Sequence, residues 1–232
     1  MTDWRIRHGE VIADFVASLN VNNENYVLKG GTALSICYNL DRFSEDIDLD
    51  GTERRLVELV EAFCKKNGYD YRVAKDTNTV QRCMIHYGNT QKPLKVEASY
   101  RRLRIDADET ARINGVLVYG IESLCVMKAN AYTSRDRIRD LYDLAFICNG
   151  YFDRLSPQTL VLLRNALEYK GLEQFDYMVN TQSDELINPD KLAGDFLKMF
   201  DRLGLLVDES EMHFLENGAH EASDEDKDEA EP

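Results

Sequence analysis

The sequence lacks any apolar stretch of the roughly 18 residues that a membrane span requires, so no transmembrane segment is expected. Residues Met1 to Glu10 are polar and charged and lack the apolar core of a secretory signal, which makes the cytoplasm the expected location. Cysteine is sparse. The five residues, Cys37, Cys64, Cys83, Cys125 and Cys148, are odd in number, scattered and never in a Cys-x-x-Cys pair. That spacing argues against a disulfide framework or zinc knuckle and predicts buried free thiols. The four histidines are equally dispersed and suggest no zinc site.

An excess of basic charge is also missing. The net charge is −14, and residues 221–232 contribute −6 of it, with seven acids against Lys227. An acidic run without apolar residues cannot offset its ordering entropy, so residues 218–232 read as a disordered tail. The remaining body is still acidic and cannot hold nucleic acid by bulk charge. A polynucleotide partner would need a local basic patch, for which Arg101, Arg102 and Arg104, with Arg135, Arg137 and Arg139, are the candidates.

What is present is an ordinary globular composition, 44% hydrophobic over 232 residues, with clear periodicity. Helical spacing over 3–19 is followed by a short strand, Tyr26 to Lys29, and a helix over 32–40. Asp46 to Asp50 alternates polar and apolar as a strand does. A helix over 53–67 ends at Asn67-Gly68. Strand-like runs follow at 69–75, 79–87, 93–100 and about 111–119. From Ile121 the period is helical, with helices expected near 121–133, 138–148, 157–168, 171–180, 190–203 and 208–216, and with Pro157 and Pro189 near starts. The expected fold class is therefore α/β (α+β), with an α/β domain over 1–119, a helical domain over 120–217 and the acidic tail.

Two short patterns carry chemistry together. In Lys29-Gly30-Gly31-Thr32 a strand ends in glycines and a helix begins. Glycine lets a phosphate approach the backbone, and the free amides of a helix start attract an anion. Double glycines are also ordinary turns. Asp46-Ile47-Asp48 places two carboxylates on one strand face, where they can share hard divalent cations. Ile47 then points into the core. A third carboxylate is expected on a neighbouring strand, and Glu97 is the candidate. A simple Glu97–Lys95 surface pair is the alternative, and Asp106 and Asp108 are rivals in an irregular stretch.

The blocks Leu28-Lys29-Gly30-Gly31-Thr32-Ala33-Leu34 and Arg42-Phe43-Ser44-Glu45-Asp46-Ile47-Asp48, then Met127-Lys128-Ala129, Arg135 and Arg139-Asp140-Leu141-Tyr142-Asp143-Leu144, closely resemble the AbiEii/AbiGii toxin family. These are nucleotidyltransferase-like proteins of the DNA polymerase β superfamily. The resemblance implies a nucleotidyltransferase-like mixed sheet with flanking helices, followed by a helical C-terminal half. It implies Mg²⁺, or Mn²⁺, at Asp46 and Asp48, with Glu97 the least secure ligand because the family more often has aspartate there. Gly30, Gly31 and Thr32 would bind the nucleoside triphosphate, Lys128 would contact its phosphates, and Asp140 or Asp143 would complete the site. Read without the family, Lys128 could equally snorkel to solvent and Asp140 and Asp143 could lie on a salt-bridged surface helix. The implied activity is transfer of a nucleoside monophosphate to an acceptor hydroxyl, on tRNA or another RNA, by the toxin of a toxin–antitoxin pair with a cognate antitoxin. A protein acceptor and a non-catalytic nucleotide-binding relic are the alternatives.

Overall fold

The computed structural model describes residues 4–20, 25–88 and 92–206. The helix expected over 208–216 and the acidic tail over 218–232 lie outside the described residues. In chain order the elements are α1 (Trp4–Asn20), β1 (Tyr26–Lys29), α2 (Gly30–Tyr38), β2 (Asp46–Gly51), α3 (Leu56–Asn67), β3 (Asp70–Asp76), β4 (Val80–His86), β5 (Leu94–Ser99), β6 (Thr110–Ile113), β7 (Val116–Tyr119), α4 (Ile121–Ser134), α5 (Ile138–Tyr151), α6 (Pro157–Thr181) and α7 (Pro189–Arg202).

The strands form one mixed sheet in the order β3-β4-β5-β2-β1-β7-β6. β2 runs antiparallel to β1 and parallel to β5, and β1 runs parallel to β7. The elements follow their patterns. In α1 the residues Val11, Ile12, Phe15, Val16 and Leu19 form the buried stripe. In β2, Ile47 and Leu49 are buried while Asp46 and Asp48 alternate with them and stay partly open. Pro157 and Pro189 occupy first helical positions, behind Ser156 and Asn188 caps that accept from Thr159 and Lys191 amides at 3.2 and 3.1 Å.

Several boundaries differ from the sequence reading by a few residues, and three differences are informative. α2 begins at Gly30, not Thr32, so both glycines belong to its first turn. The single strand expected over 111–119 is a hairpin of β6 and β7. Its corner, Asn114-Gly115, has φ of 52° and 83°, the paired positive angles of a type I′ turn. α6 runs across the expected gap, broken only at Gly171, whose φ of 69° is not helical.

One apolar cluster takes residues from both halves, from Val11 to Leu203. Hydroxyl bonds reinforce the join. Tyr151 donates to the Tyr38 carbonyl at 2.7 Å and Tyr142 to Asp41 at 2.8 Å. All five cysteines are buried and free. Burial pushes the thiols of Cys37, Cys64, Cys83 and Cys148 up to about 11 and that of Cys125 to about 12, which keeps them protonated. Among the described residues no helix is long and apolar enough to cross a membrane.

Candidate active site

Strand alternation puts Asp46, Asp48 and Asp50 on one face of β2. The parallel register with β5 sets Asp46 beside Lys95, Asp48 beside Glu97 and Asp50 beside Ser99. On the other side, antiparallel β1 brings Lys29 opposite Asp48, one residue before α2 starts. The two patterns, fifteen residues apart in sequence, thus meet at one point of the sheet.

The glycines are required there by close approach. Gly30 has φ of 75°, and a Cβ on it would lie 3.0 Å from Asp48 Oδ2. A Cβ on Gly31 would lie 2.8 Å from an Arg42 guanidinium nitrogen and 2.9 Å from Ser44 Oγ. Thr32 serves the same joint. Its buried hydroxyl is bonded to Ser44 Oγ at 2.9 Å and to the Asp46 carbonyl, which ties the α2 start to the β2 start.

The carboxylates have cationic neighbours. Lys95 Nζ lies 2.6 Å from Asp46 and 4.0 Å from Asp48. Glu97 accepts from Arg82 Nε at 2.5 Å, so the Glu97–Lys95 surface pair is not formed. Burial pushes the Asp48 carboxyl up, against the pull of Lys95, and the charges of Asp46 and Glu97 add to the rise. Among the described residues no three or more His, Cys, Asp or Glu side chains converge as a metal cage. Asp46 and Asp48 do converge on one cation, the Lys95 ammonium. A pair of this kind fits a small hard divalent ion, which takes one or two carboxylates and completes its shell with water and substrate phosphates. Asp106 lies away in the loop before a 3-10 turn (Ala107–Glu109) and is held by Arg104 at 2.8 Å.

The helical half supplies a buried ionic network. Asp143, with no exposed surface, accepts both arms of Arg42 at 2.7 Å and lies 2.6 Å from Lys128 Nζ. Lys128 also reaches Asp140 at 3.1 Å, and Arg135 forks onto Asp140 at 2.7 and 3.1 Å. Burial alone would raise the Asp140 carboxyl and lower the Lys128 ammonium. Their mutual attraction, with Arg135 on Asp140 and Asp143 on Lys128, reverses both shifts. Lys128 is therefore enclosed and does not snorkel. Arg135, with 48% of its side chain exposed, is held mainly by Asp140 and also feels the Asp48 charge.

Arg42 is the residue that sequence reasoning missed. It stood within a quoted block without a role, and its partner lies 101 residues away. Of the three arginines near Asp140 in sequence, Arg135, Arg137 and Arg139, Arg135 alone pairs with it. Arg139 instead bonds Glu45 at 3.0 Å and Asp184. Within the expected basic patch Arg102 is engaged by Glu109 at 2.8 Å and Arg104 by Asp106 in an exposed pair. Arg101 stays exposed beside a cavity of about 540 Å³, which Lys29, Asp50, Ser99, Ser123 and Met127 also line. That cavity opens one strand pair along from Asp48.

Comparison with known proteins bears on the family and the fold. The family described as nucleotidyl transferase AbiEii toxin, type IV toxin–antitoxin system, matches residues 14–225. Among solved structures, JHP933 from Helicobacter pylori is similar at 27% identity and a TM-score of 0.74, over 94% of this chain and 98% of that one. A candidate nucleotidyltransferase from H. pylori is similar at 26% identity and a TM-score of 0.73, over 88% and 96%. No functionally curated protein matches the sequence. The mixed sheet with flanking helices is the expected nucleotidyltransferase-like fold.

Proposed function

The chain belongs to the AbiEii nucleotidyltransferase toxin family, and from that premise we propose that it transfers a nucleoside monophosphate from a nucleoside triphosphate to a hydroxyl of tRNA or another RNA. Magnesium, or manganese in its place, would be held by Asp46 and Asp48, with Glu97 adjoining. The observation that carries this reading is the register that sets Asp48 beside Glu97 on one side, with the glycine start of α2 against Asp48 on the other.

In this reading the triphosphate lies across Gly30 and Gly31, where the free amides of the helix start meet its charge. Arg135 faces the phosphates from the helical half. Lys128, Asp140 and Asp143, buried and mutually paired, position Arg135 and Arg42. A divalent metal held there would supply charge neutralisation at the phosphates and a lowered pKa for the acceptor hydroxyl. The acceptor oxygen bonds to the α-phosphorus as the bridging bond to pyrophosphate breaks, and the bond's electron pair leaves with the pyrophosphate. The acceptor's proton passes to the open carboxylate edge. The cavity beside Asp50 takes the nucleoside portion, with Arg101 at its rim. The protein then acts in the cytoplasm as the toxin of a pair with a cognate antitoxin.

The test is incubation with magnesium, labelled triphosphates and total cellular RNA. Asp46→Asn and Asp48→Asn each abolish labelling while circular dichroism and melting stay near wild type. Near-normal labelling by both variants overturns the reading. In cells, wild-type expression stalls growth and Asp48→Asn does not.

A further inference from the structure

Lys95 has been given no role so far. It lies on β5, paired across the parallel ladder with Asp46, and its ammonium reaches both Asp46 and Asp48 at 2.6 and 4.0 Å. Four other described cations around this face answer to different carboxylates. Lys29 pairs with Asp50 at 2.5 Å, Arg82 with Glu97 at 2.5 Å, Lys92 with Glu45, and Arg135 with Asp140 at 2.7 Å.

We propose that Lys95 is an internal counter-cation that competes with the divalent metal for the Asp46–Asp48 oxygens. It keeps the site weak for metal alone and favours entry of metal together with its nucleotide. The inference rests on the reading that this pair binds a divalent ion. Two carboxylates on one strand face repel each other, and the ammonium relieves that repulsion without a metal. A lysine suits the task because its charge ends a flexible four-carbon stem that can swing aside, and 28% of the side chain is already exposed. A metal entering alone must displace this ammonium. A metal entering with a triphosphate brings anionic oxygens that receive the displaced charge.

The test uses Mn²⁺ alone as the probe, with binding followed by calorimetry and by the electron paramagnetic resonance of free Mn²⁺. Lys95→Met is expected to bind Mn²⁺ about tenfold more tightly than wild type, the order expected for one partly screened charge removed near the ion. Lys95→Arg, which keeps the charge, stays within about threefold of wild type. Metal-free Lys95→Met melts below wild type and regains its stability with Mn²⁺. Adding Asp46→Asn to Lys95→Met removes the gain in affinity. Equal or weaker Mn²⁺ binding by Lys95→Met, while wild type binds, overturns the competition and leaves the metal site standing. No Mn²⁺ binding by either protein overturns both.

Discussion

Replacing Arg42 by methionine removes both guanidinium arms from Asp143 while keeping most of the side-chain volume. Each arm is a charge-assisted hydrogen bond of 2.7 Å to a carboxylate with no exposed surface. Such bonds contribute about 1.5–3 kcal/mol each, and breaking a buried pair by deleting one partner costs about 3–5 kcal/mol. Lys128 stays 2.6 Å from Asp143 and partly covers the loss. The expected destabilisation is therefore at the lower end, about 3 kcal/mol. For a chain of this size that lowers the melting temperature by roughly 10 °C. Urea unfolding followed by circular dichroism measures it. A double-mutant cycle with Asp143→Asn should return a coupling of about 2 kcal/mol between the two residues. Arg42→Lys should recover little, because an ammonium cannot reproduce the two-armed fork. A loss below about 1 kcal/mol for Arg42→Met, the range of a solvated surface pair, would refute the description of this contact as a buried two-armed pair.

Other perturbations follow from the same geometry. Gly30→Ala forces a side chain into a φ of 75° and within 3.0 Å of Asp48, so it should cost about 1–2 kcal/mol in urea unfolding and lower labelling of RNA. Thr32→Val keeps the shape but leaves the Asp46 carbonyl and Ser44 hydroxyl without their bond, at about 1–3 kcal/mol in the same assay. His8 is buried, its Nε2–H donating to the Glu45 carbonyl at 2.7 Å and its Nδ1 accepting from the Tyr87 hydroxyl. Burial pulls its pKa below the ordinary value near 6.5, so the unfolded chain takes up a proton first as pH falls. The stabilisation is full above about 6.5 and is lost as pH drops toward the lower folded value, with a slope of up to about 1.4 kcal/mol per pH unit. Urea midpoints between pH 7.5 and 5.5 should show this loss in wild type, and a smaller one in His8→Gln. Parallel curves for the two proteins would contradict it.

The fold was largely legible because its elements are locally encoded. The alternation of Asp46 to Asp50 marked β2 and its open face, and the apolar stripe of α1 marked that helix. Asn114-Gly115 should have signalled a tight hairpin, yet a run of strand-forming residues on both sides hid the corner. The meeting of the glycine turn with Asp48 could be anticipated, since both lie in one short stretch of chain. The ionic partners could not. Arg42 finds Asp143 only through tertiary packing, and three arginines near Asp140 in sequence looked equally able to neutralise it. Lys95 turning to Asp46 and Arg82 to Glu97 depends on strand register across β4, β5 and β2, which hydrophobic pattern alone leaves open. The pairing of the patch arginines was illegible for a related reason. Counting arginines does not reveal that Glu109, Asp106, Glu45 and Asp184 already engage them.

The central claim is nucleotidyl transfer, and the position of the label in the triphosphate tests it most directly. Purified protein is incubated with magnesium, total RNA and the same nucleotide labelled at either the α- or the γ-phosphate, with Asp48→Asn alongside. The account predicts α-label joined to RNA and γ-label released as pyrophosphate, with neither seen in the variant. Transfer of γ-label to RNA would make the enzyme a phosphoryl transferase, and α-label entering RNA equally with Asp48→Asn would remove the carboxylate pair from the chemistry.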